Sequence, residues 1–490
     1  MTFSYLFERE RNKFDEKFLG LNPSDDKLED FWADVVRRRD PRIRHHPMCG
    51  RKNWMRRAIP FSIHGDGIPV IRVGKPGTES LECISIQSLL AFGPTLKIKL
   101  LIFAMFENNK VKGCAGITSS SHSVWKVISW SLGALFEGSF PALDWNDNVW
   151  DAGSSEAQLA GTPLCSEEEG YFGVVWCVKG DLDWYVKGLG FKNYNSMDPC
   201  EWCPVSRSGP TNMYPTNFSD SAPWKGLLFS SEQWRSQDRD LHALFKKFVF
   251  LTCHNLEADE LHILHLGVLQ YFLGSVLWLL VFEGSDGNHL ARFDTIWTLI
   301  LEQYTADQQG NQYTNLTISS FADPKKYNTT FPRLRGRGCE VKSLVVPLLN
   351  IWKAKKRNSA FDNNVCKCLG DMASLICILD EFKADAFLPD DSAVKFLQLA
   401  ESFLKCYCWL SVASEKRKLV LFNVVPKLHF MWHMAWRAKF LNPRLGATFI
   451  DEDFVKHMKK VTAMSVSGTP MHEVPKTLVG KYRWGLSLDL

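Results

Sequence analysis

The stretch WCVKGDLDWYVKGLGF, Trp176 to Phe191, decides how this chain is read. The apolar run from Tyr171 to Val178 has the length and the β-branched, aromatic character of a buried strand. It halts at Gly180 and two aspartates, and the residues from Leu182 onward read as a helix. Carboxylates at that point either cap the helix or meet a cation. Asp181 is the candidate for both roles, and Asp183 competes with it because alternate strand residues share a face.

At 490 residues the chain exceeds one ordinary core, which predicts two or three packed units. Hydrophobic residues make up 45% and charged residues 23%, the balance of a folded chain, not a disordered one. With 58 basic against 54 acidic residues the net charge is only +4, so any nucleic-acid surface must be local. Fourteen cysteines are scattered without a dense framework, and no leader follows Met1. That predicts a reducing compartment, nucleus or cytoplasm, and no secretion. The run LGVLQYFLGSVLWLLVF, Leu266 to Phe282, is long enough to span a bilayer. Gln270 inside it and the lack of a basic flank favour a buried core helix and no membrane.

The character of the chain changes along its length. Residues 1–50 read as a helical, basic extension ending in VVRRRDPRIRHH. Residues 51–240 read as α/β, with short apolar runs punctuated by Gly and Pro, an ambiguous run at 97–106 and an amphipathic helix in SHSVWKVISWSLGALFEG. Residues 241–440 read as helix after helix, and 441–490 as a last helix and tail.

Two further acids join Asp181. Asp66 lies in IHGDGIPV, beside a glycine that permits a tight turn. Glu452 lies in IDEDFVKHMKKV, where Phe454, Val455, Met458 and Val461 mark one helical face. Singly, each has an ordinary reading as turn, cap or dipole partner. Together, carboxylates from two strands and a helix would hold hard divalent cations, a pair of which can serve phosphodiester chemistry.

In order, HGDGIPV, VKGDLDW…GLGF…CEWC, DELHILHLG and KLHFMWH…NPR…IDEDFVKHMKKV resemble the catalytic region of CACTA-like (En/Spm-type) DDE transposases, over about residues 55 to 465. The resemblance implies an RNase H-like mixed sheet with a large all-helical insertion before the last catalytic helix. It implies Asp66, Asp181 and Glu452 as catalytic Mg²⁺ ligands, DNA cleavage and strand transfer, DNA as partner and a nuclear location, with a homo-oligomer left open. Asp451 remains an alternative to Glu452, because helical spacing puts it on the Phe454 side at least as well. A separate DNA-recognition domain is not evident, so the alternative is a transposase-derived DNA-binding or interaction protein without chemistry.

Cys200 and Cys203 in PCEWCPVS supply half of a tetrahedral zinc site. Asp259 and His262 could complete it, with His265, Cys253 and His254 as rivals; the resemblance implies that the CxxC and DxxH lie together around a structural zinc. Among the basic stretches, 37–46, 353–357, 415–418 and RLRGRG at 333–338, the last is the best phosphate-binding candidate. Its Arg333, Arg335 and Arg337 are interleaved with glycines that allow close backbone approach. No phosphate loop, nucleophile elbow or dinucleotide fingerprint occurs.

Overall fold

The computed structural model of the protein describes residues 2–20, 26–71, 78–113, 119–166, 170–283, 287–307, 310–466, 468–470 and 472–489. The first elements in chain order are α1 (Lys27–Arg37), β1 (Ala58–Ile71), β2 (Thr78–Ser88), β3 (Lys99–Phe106), α2 (Ser120–Glu137), β4 (Phe172–Lys179) and α3 (Leu182–Lys187). A long helical series follows: α4 (Leu269–Phe282), α5 (His289–Asp307), α6 (Val345–Lys355), α7 (Ala360–Glu381), α8 (Asp390–Lys416) and α9 (Lys427–Arg437). The chain closes with α10 (Phe449–Val466) and α11 (Val474–Asp489). Two compact units result, one of Met1–Asn193, Phe229–Glu257 and Thr448–Leu490, the other of Tyr194–Leu228 and Ala258–Ala447.

The first unit is mixed α/β around an open four-stranded sheet of order β3-β2-β1-β4. β1 runs antiparallel to β2, with Phe61 opposite Ser88, and parallel to β4, with His64 opposite Lys179. All eight residues of β4 are buried, so its near-continuous apolar run is that of a strand covered on both faces. β1 carries two prolines where one flank lacks a partner strand: Pro60 precedes the β2 register and Pro69 lies past the end of β4 pairing. The run at 97–106 resolves into one helical turn, Thr95–Ile98, and then β3.

HGDG is not a turn. β1 continues through it, and the glycine that matters is Gly65. A Cβ built on Gly65 would lie 2.0 Å from the Trp184 ring, and one on Gly180 would lie 2.4 Å from it. The indole of α3 therefore occupies the space that side chains at both positions would need. Gly65→Ala should lower stability by about 1–3 kcal/mol through this overlap. Gly67→Ala meets only the movable Ser80 hydroxyl at 2.9 Å and should cost less. Urea unfolding of the two variants checks this, and equal midpoints would contradict it.

The first fifty residues are part of this unit, not an appended extension. The Trp32 indole donates to the Ala58 carbonyl at 2.6 Å and meets Trp176 edge-on at 4.9 Å. Arg42, from the basic run at 37–46, is buried and paired with Asp40 at 2.6 Å and Glu257 at 2.7 Å, so that residue is a core ion pair and no phosphate contact. His64, Asp66, Ile68 and Val70 alternate onto one face of β1. Ile68 and Val70 share a core with Phe454 and Met458 of α10 and with Val474, Leu478 and Tyr482 of α11.

The second unit is helical. Among the described residues one stretch, Leu261–Phe282, is long and apolar enough to cross a membrane, but 83% of its most apolar window is buried inside the protein. Its polar residue is also accounted for. Gln270 accepts from the Leu334 amide at 2.9 Å through its main chain and from Arg333 at 3.0 Å through its side chain. This is how a core helix carries a glutamine.

Candidate metal centre

Cys200 and Cys203 lie in the loop region that opens the second unit, and α9 brings His429 and His433 to them. The histidines are four apart on a helix, so their rings project from one face. Each of the four residues is at least 98% buried. His433 Nε2 lies 3.3 Å from both sulfurs, His429 Nε2 lies 3.3 Å from Cys203 Sγ, and the two nitrogens are 3.0 Å apart. A tetrahedral zinc separates a sulfur from a nitrogen by about 3.5 Å, two nitrogens by about 3.3 Å and two sulfurs by about 3.8 Å. No separation in this set exceeds 4.8 Å, so the donors fit one such ion.

The surroundings suit metal ligation. His429 Nδ1 lies 3.2 Å from the Pro215 carbonyl, a partner that holds the proton on Nδ1 and leaves Nε2 to bind. The Trp202 amide donates to Cys200 Sγ at 3.3 Å. Trp224 packs on His429 at 4.6 Å and Trp202 on His433 at 5.4 Å, which closes the site to water. Burial works against a Cys200 thiolate, yet Cys203, His433 and His429 outweigh it and hold its pKa well below that of a free thiol. Burial, against the pull of Cys200, pushes His433 downward and keeps its ring neutral. Four protein donors in a closed, dry pocket are the arrangement of a structural zinc, with no position left for substrate.

The sequence expectation of Asp259 and His262 as the other two ligands is corrected. Their side chains bond to each other, with His262 Nδ1 2.6 Å from Asp259 Oδ2, and Asp259 also accepts from the Leu261 amide at 2.9 Å. Asp259 is thus an N-terminal cap for the helical stretch behind it. Of the rivals, His265 pairs with Glu260 at 2.9 Å. The overlooked signal was HxxxH within KLHFMWH, whose spacing on a helix matches that of a zinc half-site.

The three acids expected to hold Mg²⁺ have different surroundings. Asp181 Oδ1 accepts from the Trp184 amide at 2.6 Å and caps α3, which answers why β4 ends on a carboxylate. Asp183 pairs with Lys187 at 2.7 Å on the surface. Asp66 sits half-buried on the α10-facing side of β1 and accepts from the Gly67 amide at 2.7 Å. Glu452 is exposed, and its neighbour Asp451 turns inward on the stripe of Phe454 and Met458.

Asp451 is fully buried among cations. Lys99 of β3 pairs with it directly, Lys179 of β4 lies 3.0 Å away and His64 Nδ1 of β1 lies 3.5 Å away. Burial alone would raise the Asp451 pKa, but His64, Lys179 and Lys99 together hold it far below the usual carboxylate range. Burial pushes Lys99 down to about 8, with Asp451 opposing and Lys179 assisting. The helix carboxylate nearest the sheet is thus already neutralised by protein cations, and the Mg²⁺ expectation finds no support in this arrangement.

Arg333, Arg335 and Arg337 of the RLRGRG segment are exposed, with some internal contacts. Arg333 holds Gln270, Arg337 pairs with Glu340 at 2.6 Å, and Gly336 makes room for Tyr313, whose hydroxyl donates to the Arg335 carbonyl at 2.7 Å. Gly336 thus serves internal packing.

A scan against protein-family models finds no match to this chain, and neither does a search of the curated proteins.

Proposed function

We propose that this chain is a transposase-derived DNA-binding protein on an RNase H-like unit that does not perform two-metal cleavage. The strand order β3-β2-β1-β4 supports the RNase H-like part, with β1 central, β2 antiparallel to it, β4 parallel, and a late helix returning to β1. The ordered motifs that resemble CACTA-like transposases support the origin, and with it a nuclear location.

One observation carries the loss of chemistry: Asp451 faces Lys99, Lys179 and His64 in a closed core. A two-metal centre needs carboxylates that concentrate negative charge for the ions to neutralise. A divalent cation entering here would meet two buried ammonium groups at close range, where like charges repel strongly. Zinc held by Cys200, Cys203, His429 and His433 would act structurally, tying the 200–203 loop to α9.

The test incubates the full chain with a labelled DNA duplex and Mg²⁺ or Mn²⁺. The expected result is a mobility shift without strand cleavage. Metal-dependent cleavage that disappears in Asp66→Asn would overturn the non-catalytic reading.

A further inference from the structure

Two basic stretches that are far apart in sequence, KAKKR at 353–357 and EKRK at 415–418, meet in the second unit. A cavity of about 560 Å³ opens there, lined by Arg292, Lys355, Lys356 and Arg357 against the acids Glu283 and Asp362. Glu283 is already engaged: Arg417 pairs with its carboxylate, and Arg357 donates to its carbonyl at 3.3 Å. Asp362 is likewise engaged, accepting from the Ser359 hydroxyl at 2.7 Å. Lys353, Lys416 and Lys418 of the same two runs are exposed.

The ordinary reading is that lysines gather at the C-terminal ends of α6 and α8 to offset the helix dipoles. That accounts for one or two cations per end. It does not account for both runs converging on Glu283, Arg417 at its carboxylate and Arg357 at its carbonyl. Arg292 is spent internally, donating to the Val281 carbonyl at the end of α4 at 2.6 Å and to the Gly287 carbonyl at 2.5 Å.

We infer that the rim of this cavity is the surface on which the second unit takes the phosphate backbone of DNA; the inference rests on the DNA-binding reading above. The chemistry favours a polyphosphate over an acidic protein. Leu279, Ile296 and Trp352 in the lining are buried and Leu280 is half-buried, so the one aromatic ring of the lining, Trp352, is not available as the anchor a protein hot spot favours. What the cavity presents is flexible ammonium and guanidinium groups, which position a backbone without reading bases.

The experiment measures binding of a fluorescein-labelled random-sequence duplex to the full chain by anisotropy across a salt series. One variant is Lys355→Ala/Lys356→Ala/Arg357→Ala and an independent one is Lys416→Ala/Lys418→Ala, both at exposed sites and both checked for unchanged melting. The triple variant should bind about 10-fold or more weakly, with the slope of log K against log salt reduced by about 2–3, since each duplex phosphate contact contributes about 0.9. The double variant should lose part of the same slope. If the wild type binds duplex and both variants bind equally well, the surface is wrong while the DNA-binding reading stands. If the wild type binds no duplex, both fall. Capture of polyglutamate through the same residues would then assign the rim to an acidic protein partner.

Discussion

Cys203→Ser should strip the protein of its metal, taking zinc from one equivalent per chain to none and unfolding the 200–203 loop from α9. Structural zinc supplies about 10–16 kcal/mol in isolated small zinc domains. The second unit has its own helical core, so only part of that is lost here. A loss of about 4 kcal/mol or more corresponds to about 10 °C in Tm, at roughly 2–4 °C per kcal/mol for a unit of this size. Elemental analysis and thermal melting followed by tryptophan circular dichroism read the two effects, since Trp202 and Trp224 sit on the ligand rings. Asp259→Ala and His262→Ala should keep the zinc, because those side chains satisfy each other outside the cluster. Protein purified without zinc that melts identically with and without added zinc would refute the assignment.

Asp451→Asn should destabilise the first unit by about 3–5 kcal/mol, because it leaves Lys99 and Lys179 buried without their counter-charge. Glu452→Gln, one residue along but exposed, should stay within about 0.5 kcal/mol of wild type. The sign is diagnostic. In a metal-free carboxylate cluster built to hold Mg²⁺, removing one acid relieves repulsion and raises stability, the opposite of what is expected here. The pH dependence follows from the same geometry. The folded pKa of Asp451 is depressed, so its contribution is present above the unfolded value of about 3.9 and is lost as pH falls below it. Chemical denaturation between pH 7 and pH 3 should show the gap between wild type and Asp451→Asn closing toward acid. A constant gap would mean that the carboxylate is not ion-paired in the folded protein.

Local signals were legible where one segment carries the whole cause. β4 announced itself because a strand buried on both faces needs an unbroken apolar run, and α10 because its apolar positions repeat at helical spacing. The helical spacing also kept Asp451 in contention beside Glu452. The zinc half-site at Cys200 and Cys203 was readable from two residues at the right interval; His429 and His433 also stand at a half-site interval, but nothing local joins the two halves. What misled was the resemblance, which implies that the CxxC and DxxH lie together. DELHILHLG lies nearer to the cysteines along the chain and carries the same ligand chemistry, but Asp259 and His262 close on each other.

The sequence by itself determined a mixed α/β chain with a helical part following the strands, a core helix over Leu266–Phe282 and a cysteine pair fit for a metal. Each of these depends on residue types and intervals within one element. Only the tertiary structure decided which histidines complete the cysteine pair, that Lys99, Lys179 and His64 converge on Asp451, and that the basic runs at 353–357 and 415–418 both reach Glu283. Those outcomes depend on strand register and helix packing between segments up to hundreds of residues apart. A charge's worth is set by the partner that packing delivers to it, and no local pattern encodes that partner.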